Sequence, residues 1–312
     1  MRVLVTGAVG FSGARMMEIL AAQQGVEPVG LVHRPIPATV QKKDSFVVAD
    51  LLNTEQLSAV VLRTNPDALI HLAGLTYGTA SELYATNVTG TKNLLDATIS
   101  VNPDCRVLVV SSSAVYGYAG NQPIPETAPV KPVGEYGRSK VAQEDVCRQF
   151  SDAGAEIAIA RPFNLAGPLQ SDAFVCGRIV DQVIRIEQKK STAIELREIL
   201  SSRDIIDVRD VVKGYFALIS CPDFSSDCSG KVFNLGSGNP YPVSTIIALI
   251  EEITGSIYKL QLSETHPAIA VLTQRSDNSR ITELTGWRPE ISLKETLADM
   301  LAAARGQVPA HR

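Results

Sequence analysis

Residues 1–20, MRVLVTGAVGFSGARMMEIL, decide the architecture. Val3-Leu4-Val5 is a short apolar run with β-branched ends, as in a strand buried on both faces of a parallel sheet. Gly7, Gly10 and Gly13 follow at GxxGxxG spacing. From about Ala14 a helical pattern begins, with Met16, Met17, Ile19 and Leu20 as its apolar positions. Strand, glycine turn and helix in this order carry a physical meaning. Residues without a β-carbon let the backbone approach a pyrophosphate, and the helix N-terminus offers free N–H groups and the positive end of its dipole. The segment therefore reads as a cradle for a dinucleotide.

The position that reads the adenosine ribose comes about 20 residues later, at the end of a second strand. That strand is Pro28-Val29-Gly30-Leu31-Val32, and it is followed by His33 and Arg34 with no carboxylate. A carboxylate would accept from the 2′-hydroxyl and repel a 2′-phosphate, whereas arginine pairs with phosphate. The expectation is NADP(H), with NAD(H) as the other candidate.

Composition sets wide bounds. A chain of 312 residues suits two lobes and a sizeable core. A net charge of −4 gives no electrostatic case for nucleic acid. The apolar runs are strand-length, so no membrane span is expected. The sequence starts directly on a strand, so no signal peptide is expected either. Cys105, Cys147, Cys176, Cys221 and Cys228 are odd in number, form no CxxC pair and fit a reducing cytoplasm. His33, His71, His266 and His311 are scattered, so no metal site is expected.

Further strands are predicted at Phe46-Val47-Val48, Ala68 to Leu72, Arg106 to Val110 and Glu156 to Ala160, with helices near 53–64, 81–100 and 135–152. This alternation predicts an α/β fold, a Rossmann-like doubly wound parallel sheet with a smaller C-terminal α/β substrate lobe. We expect the first domain over 1–165 and the second over 166–312, with segments near 203–218 and 232–238 returning to the first. Gly236-Ser237-Gly238 reads as a turn before a helix capped near Ser244 and ending at Gly255. Ser292-Leu293-Lys294-Glu295 reads as a capping box for the last helix, whose Leu293, Leu297 and Leu301 share a core-facing side.

The chemistry rests on three residues. Tyr136 and Lys140 are four apart and share a helix face. A free phenol has a pKa of about 10, and a nearby ammonium lowers it. The fifth strand ends in Val110-Ser111-Ser112-Ser113-Ala114-Val115-Tyr116-Gly117. A hydroxyl there can bond a carbonyl oxygen, and Ser112 is the expected third member.

TGAVGFSG, Asp50-Leu51, His71-Leu72-Ala73-Gly74, Asn87-Val88-Thr89-Gly90-Thr91, SSSAVYG and the Tyr136/Lys140 pair together resemble the extended short-chain dehydrogenases/reductases. These are nucleotide-sugar epimerases, dehydratases and reductases. The likeness continues through RPFNLAGPLQSDAFV, SRDIIDVRDVV, FNLGSG and TGWRPEISLKETL, and most resembles the GDP-4-keto-6-deoxy-mannose reductases, which make GDP-rhamnose.

The resemblance implies that Ser112 bonds the 4-keto oxygen, Tyr136 is the general acid, and Lys140 tunes Tyr136 and holds the ribose. It implies that Gly7, Gly10, Phe11, Gly13, Arg34, Asp50, Leu51, Ala73 and Phe163 bind the cofactor with Tyr136 and Lys140. Asn164 and the backbone near Val175 would meet the nucleotide-sugar, and Arg203 and Arg275 would clamp its diphosphate. For Arg203 a salt bridge with Asp207 is the plainer alternative.

One departure is informative. The 4,6-dehydratases of this group carry acids after the strand-end hydroxyl, where this chain has Ser113 and Ala114. Elimination needs a proton acceptor and a donor, and alanine is neither. The expected activity is NADPH-dependent reduction of a nucleotide-diphospho-4-keto-6-deoxy-hexose. The alternative is an NAD-dependent 4-epimerase, and further behind stand a dehydratase and a non-catalytic relative. The resemblance also implies a homodimer through helices 81–100 and 135–152, for which Leu83, Val88, Leu94, Leu95 and Ala97 are the expected apolar surface.

Overall fold

The apolar run at the start forms β1 (Arg2–Thr6), and the chain then alternates strand and helix. A computed structural model describes residues 1–34, 45–117, 120, 122–197, 199–262 and 273–307; His266 and His311 lie outside them. The first part comprises β1, α1 (Phe11–Ala21), β2 (Glu27–Val32), β3 (Phe46–Val48), α2 (Thr54–Thr64) and β4 (Ala68–His71). It continues through α3 (Ala80–Tyr84), α4 (Gly90–Val101), β5 (Arg106–Val110), α5 (Gly134–Asp152) and β6 (Ile157–Pro162). The second part holds β7 (Asn164–Ala166), α6 (Val175–Glu187), β8 (Ile194–Leu196), β9 (Ser202–Asp207), α7 (Val208–Ile219), α8 (Phe224–Asp227) and β10 (Val232–Leu235). It ends with β11 (Pro240–Pro242), α9 (Val243–Thr254), β12 (Leu260–Leu262), α10 (Ser279–Thr285) and α11 (Leu293–Ala304).

Seven strands pair in the order β10-β6-β5-β4-β1-β2-β3, and every pairing is parallel. The order reverses direction between β1 and β4, and a crevice opens at such a switch point beyond the carboxyl ends of the strands. One face of the sheet packs on α1 and α7, with Val5, Met16, Leu20, Val211 and Leu218 in one apolar cluster. The other packs on α2, α4 and α5, with Leu57, Val61, Leu94, Leu95 and Cys147 in another. Each large aliphatic side chain buried this way contributes roughly 1.5–3 kcal/mol. The second lobe has its own cluster of Ile179, Val183, Ile246, Ile250, Leu297 and Leu301.

The chain crosses between the lobes more than once. β10 is the edge strand of the large sheet, and α7 lies against α1. Both come from the second half of the sequence. The remaining strands form a three-stranded sheet, β11-β9-β7, and a pair, β12-β8.

Three expectations need correction. The helix expected over 81–100 is interrupted by a wider turn at Ala85–Thr89 between α3 and α4. The helix expected to be capped near Ser244 begins at Val243 after Pro242, with no side-chain cap, although Gly255 does end it in the left-handed conformation. Leu83, Val88, Leu94, Leu95 and Ala97 are all buried within the single chain. They serve the sheet and its neighbours and are not exposed surface. At α11 the Ser292 hydroxyl accepts the Glu295 N–H, as a cap requires.

All five cysteines are buried and unpaired. Among the described residues no group of three or more His, Cys, Asp or Glu gathers as a metal site would. No described helix is long and apolar enough to cross a membrane.

Candidate active site

The glycine turn is built for close approach. Gly7 has φ +66°, and a β-carbon there would sit 3.0 Å from the Ala73 backbone nitrogen. A β-carbon on Gly13 would lie 2.0 Å from the Gly7 carbonyl oxygen, so α1 can seat against the turn only without one. The Gly10 N–H closes the turn on Gly7 O at 2.8 Å. Gly7, Gly10, Phe11 and Gly13 thus place the N-terminus of α1 at one end of a cavity of about 1270 Å³. The cradle fits a dinucleotide pyrophosphate.

Asp50, Leu51, Ala73 and Phe163 line the same cavity. Leu51 is buried, and the Asp50 carboxylate accepts the Leu52 N–H at 2.9 Å. At the end of β2 the exposed His33 lines the cavity; Arg34, the next residue, is exposed and does not.

Ser112, Tyr136 and Lys140 come together midway along it. Ser112 follows β5 in an extended conformation and opens a short 3₁₀ turn, its hydroxyl accepting the Ala114 N–H at 3.1 Å. Lys140 is buried and donates to Val110 O at 2.9 Å and to Gln143 Oε1 at 2.8 Å. Burial pulls its ammonium down to about 8, against the opposing charges of Cys147 and Glu144. Tyr136 behaves differently from expectation. Burial raises its phenol above the ordinary value, a hydrogen bond with Ser112 works against this, and Tyr77 adds to it. The Lys140 amine bonds Val110 and Gln143 and not the phenol.

Behind Lys140 runs a buried chain of hydrogen bonds. Gln143 donates to Thr91 Oγ1 at 2.8 Å, and Thr91 donates its one proton to Asn87 O at 2.7 Å. His71 Nε2, 2.9 Å from Thr91 Oγ1, must then be the donor. His71 Nδ1 accepts from Thr6 Oγ1 at 2.7 Å, and Thr6 accepts the Ala73 N–H at 3.1 Å. Burial, and then the charge of Lys140, hold His71 down to about 3, so it stays neutral. Thr6 and His71 face each other in the β1–β4 ladder, and the chain links the glycine turn's neighbour Ala73 to Lys140. Neither Gln143 nor this linkage was visible as a motif.

The far end of the cavity belongs to the second lobe. Asn164, Val175 and Arg203 line it. Val175 is the first residue of α6, and Asn164 donates to Asp204 O at 3.0 Å. Arg203 forms no pair with Asp207, which binds Arg209 instead at 2.8 Å. Arg275 is the correction here. It is off the cavity, and its Nε donates to Gly238 O at 2.9 Å. The cause is the buried Asp204. One of its oxygens accepts Ser237 N and Oγ at 2.6 and 2.7 Å, and the other accepts Gly238 N, Ser276 N and Ser276 Oγ. This pins Ser276 to the turn and lays Arg275 along it. The arginines that share the cavity with Arg203 are Arg178 and Arg197. Arg178 lies one turn after Val175, a spacing that could have flagged it. Across the mouth, Tyr77 donates to Ala173 O at 3.2 Å and its ring meets Phe174 at 5.8 Å between centroids.

Residues 3–236 match the NAD dependent epimerase/dehydratase family, and the chain belongs to that family of NAD(P)-dependent enzymes. It is similar to the GDP-6-deoxy-D-mannose reductase of Pseudomonas aeruginosa, at 32% identity over 96% of each chain. A solved structure of RMD from Pseudomonas aeruginosa complexed with NADPH superposes with a TM-score of 0.83 at 31% identity, covering 98% of this chain and 99% of that one. UDP-glucose 4-epimerase 2 of Arabidopsis thaliana is 28% identical over 96% of this chain and 93% of its own.

Proposed function

We propose that the protein reduces the C4 ketone of a nucleotide-diphospho-4-keto-6-deoxy-hexose with NADPH, and that the pair to try first is GDP-4-keto-6-deoxy-mannose and GDP-rhamnose. One observation carries this reading. Ser112, Tyr136 and Lys140 meet in one cavity, while the next two positions, Ser113 and Ala114, offer no carboxylate for elimination. The reductase and the NADPH-bound structure among the relatives support it.

When bound, the nicotinamide supplies the hydride. Ser112 bonds the C4 oxygen and Tyr136 gives it a proton. The raised pKa of Tyr136 keeps that proton in place at neutral pH. Lys140, fixed by Val110 and Gln143, has its third N–H left to offer a ribose. The experiment is direct. NADPH oxidation on addition of GDP-4-keto-6-deoxy-mannose supports the proposal. Tightly retained NAD with interconversion of C4 epimers, and no net oxidation, would replace it with the epimerase reading that the plant relative favours.

NADPH is expected to outcompete NADH, because no carboxylate follows β2 and Arg34 stands exposed there. Arg34→Asp should reverse the preference in a fluorescence titration. Equal wild-type affinities for the two would defeat the idea. Arg203→Ala should raise KM about tenfold with kcat little changed, since a charge-assisted bond is worth roughly 1.5–3 kcal/mol and the diphosphate lies away from the reacting carbon. Arg275→Ala, off the cavity, serves as the control.

A homodimer through α3, α4 and α5 belongs to the same proposal. The outer faces of these helices expose the Lys92–Asp96 and Arg138–Glu135 pairs beside Tyr84. The contact should therefore weaken as salt rises. Light scattering at micromolar concentration reads the state, and a monomer in low salt would end the proposal.

A further inference from the structure

Tyr215 sits on α7 with its whole residue buried, and its hydroxyl meets no hydrogen-bond partner among the described residues. A buried polar group left this way is destabilising, so it calls for a reason. Two further facts supply one. Tyr215 lines the cavity that holds Gly7, Ser112, Tyr136 and Lys140. Its phenol is pushed up by burial first and by Tyr136 second, so the neighbouring ionisable group it responds to is the Tyr136 phenol of the same cavity.

The seat of Tyr215 is tightly made. Its neighbour Gly214 has no room for a side chain, since a β-carbon would lie 2.5 Å from Leu235 Cδ2 and 3.1 Å from the Trp287 ring. α7 is thereby drawn onto β10, and the Tyr215 ring enters the apolar cluster of Ala8, Ala160 and Leu235. Packing alone would be served as well by phenylalanine. The Tyr215 hydroxyl is left without a task among the described residues.

We propose that Tyr215 is a cofactor-binding residue whose hydroxyl bonds the nicotinamide end of the dinucleotide. The carboxamide of that ring is the polar group of suitable chemistry, because it offers both a carbonyl oxygen and an N–H group. The inference rests on the dinucleotide reading above but not on the identity of the sugar. It gives Tyr215 a binding role, distinct from proton transfer by Tyr136.

Tyr215→Phe tests it with three measurements on the full chain. Without ligand, the variant should melt at the same temperature as wild type or a few degrees higher, because an orphaned hydroxyl has been removed. NADPH affinity by calorimetric titration should fall about 3- to 10-fold, the yield of one neutral hydrogen bond. Affinity for 2′,5′-ADP, which lacks the nicotinamide, should be unchanged. Three results would overturn the proposal: NADPH bound as tightly as by wild type, 2′,5′-ADP weakened to the same degree, or a clear fall in the melting temperature of the free protein. The last would show that the hydroxyl already has a partner within the fold. Wild-type protein titrated with NADPH and NADH shows separately whether the cofactor reading itself stands.

Discussion

Tyr136→Phe is expected to lose about 10²–10⁴-fold in kcat while binding NADPH almost as wild type does, the span that general acid catalysis contributes. The substitution removes one oxygen and keeps the ring, so the fold of α5 is not at stake. The glycine turn, Ala73 and Phe163, which line the cofactor end of the cavity, are untouched. Lys140 keeps both of its partners, Val110 O and Gln143 Oε1, because neither bond passes through Tyr136. What disappears is the phenol hydrogen-bonded with Ser112, which burial holds protonated at neutral pH. The loss should therefore fall on kcat and on kcat/KM alike, the signature of an interaction made in the transition state. Steady-state rates with the assigned substrate, alongside a cofactor titration, check it. A drop smaller than tenfold would remove Tyr136 from the acid role.

The site was legible where its chemistry is local. Gly7, Gly10 and Gly13 announce themselves because a tight turn and a close helix need residues without side chains, and the spacing is written in the chain. Tyr136 and Lys140 share a face by helix geometry alone, and Ser112 follows from the end of β5. The alternation of strand and helix likewise forecast a parallel sheet, and β1 to β6 appear within a residue or two of expectation.

What failed to show was set by long-range pairing. The segments near 203–218 and 232–238 do return to the first lobe as expected, but nothing local says that β10 will take the edge next to β6 or that α7 will lie on α1. Arg275 looked like a partner for Arg203 until the buried Asp204 tied Ser276 to the 237–238 turn. Leu83, Val88, Leu94, Leu95 and Ala97 looked like surplus apolar surface, but three-dimensional packing used all of them. Gln143 and Tyr215 are ordinary helix residues in the sequence. They acquire meaning only when a lysine, a histidine or a cavity is placed beside them.

The largest expected loss of stability comes from Glu144→Ala. Glu144 and Arg161 leave only 1% and 3% of their side chains exposed, and they bond through two parallel contacts of 2.8 and 2.6 Å. Ser111 donates to the same carboxylate at 2.6 Å, and Arg148 reaches it from solvent at 3.0 Å. On the other side Arg161 donates to Tyr116 Oη at 2.8 Å, and Tyr116 donates to Asn234 Oδ1 at 2.8 Å. One pair thus joins α5 to β6, to the end of β5 and to β10, directly beneath the strand end that carries Ser112. Removing the carboxylate leaves a guanidinium buried without its counter-charge, which costs about 3–5 kcal/mol. The melting temperature should fall by roughly 5–15 °C. An intact buried pair is worth far less than its rupture suggests, because desolvation offsets most of the attraction. Glu144→Met combined with Arg161→Met should therefore recover much of what Glu144→Ala loses. Calorimetric melts of the wild type, the single variant and the double variant decide the matter. If the double variant falls as far as the single one, the cost lies in the lost bonds to Ser111 and Tyr116 and not in an abandoned charge.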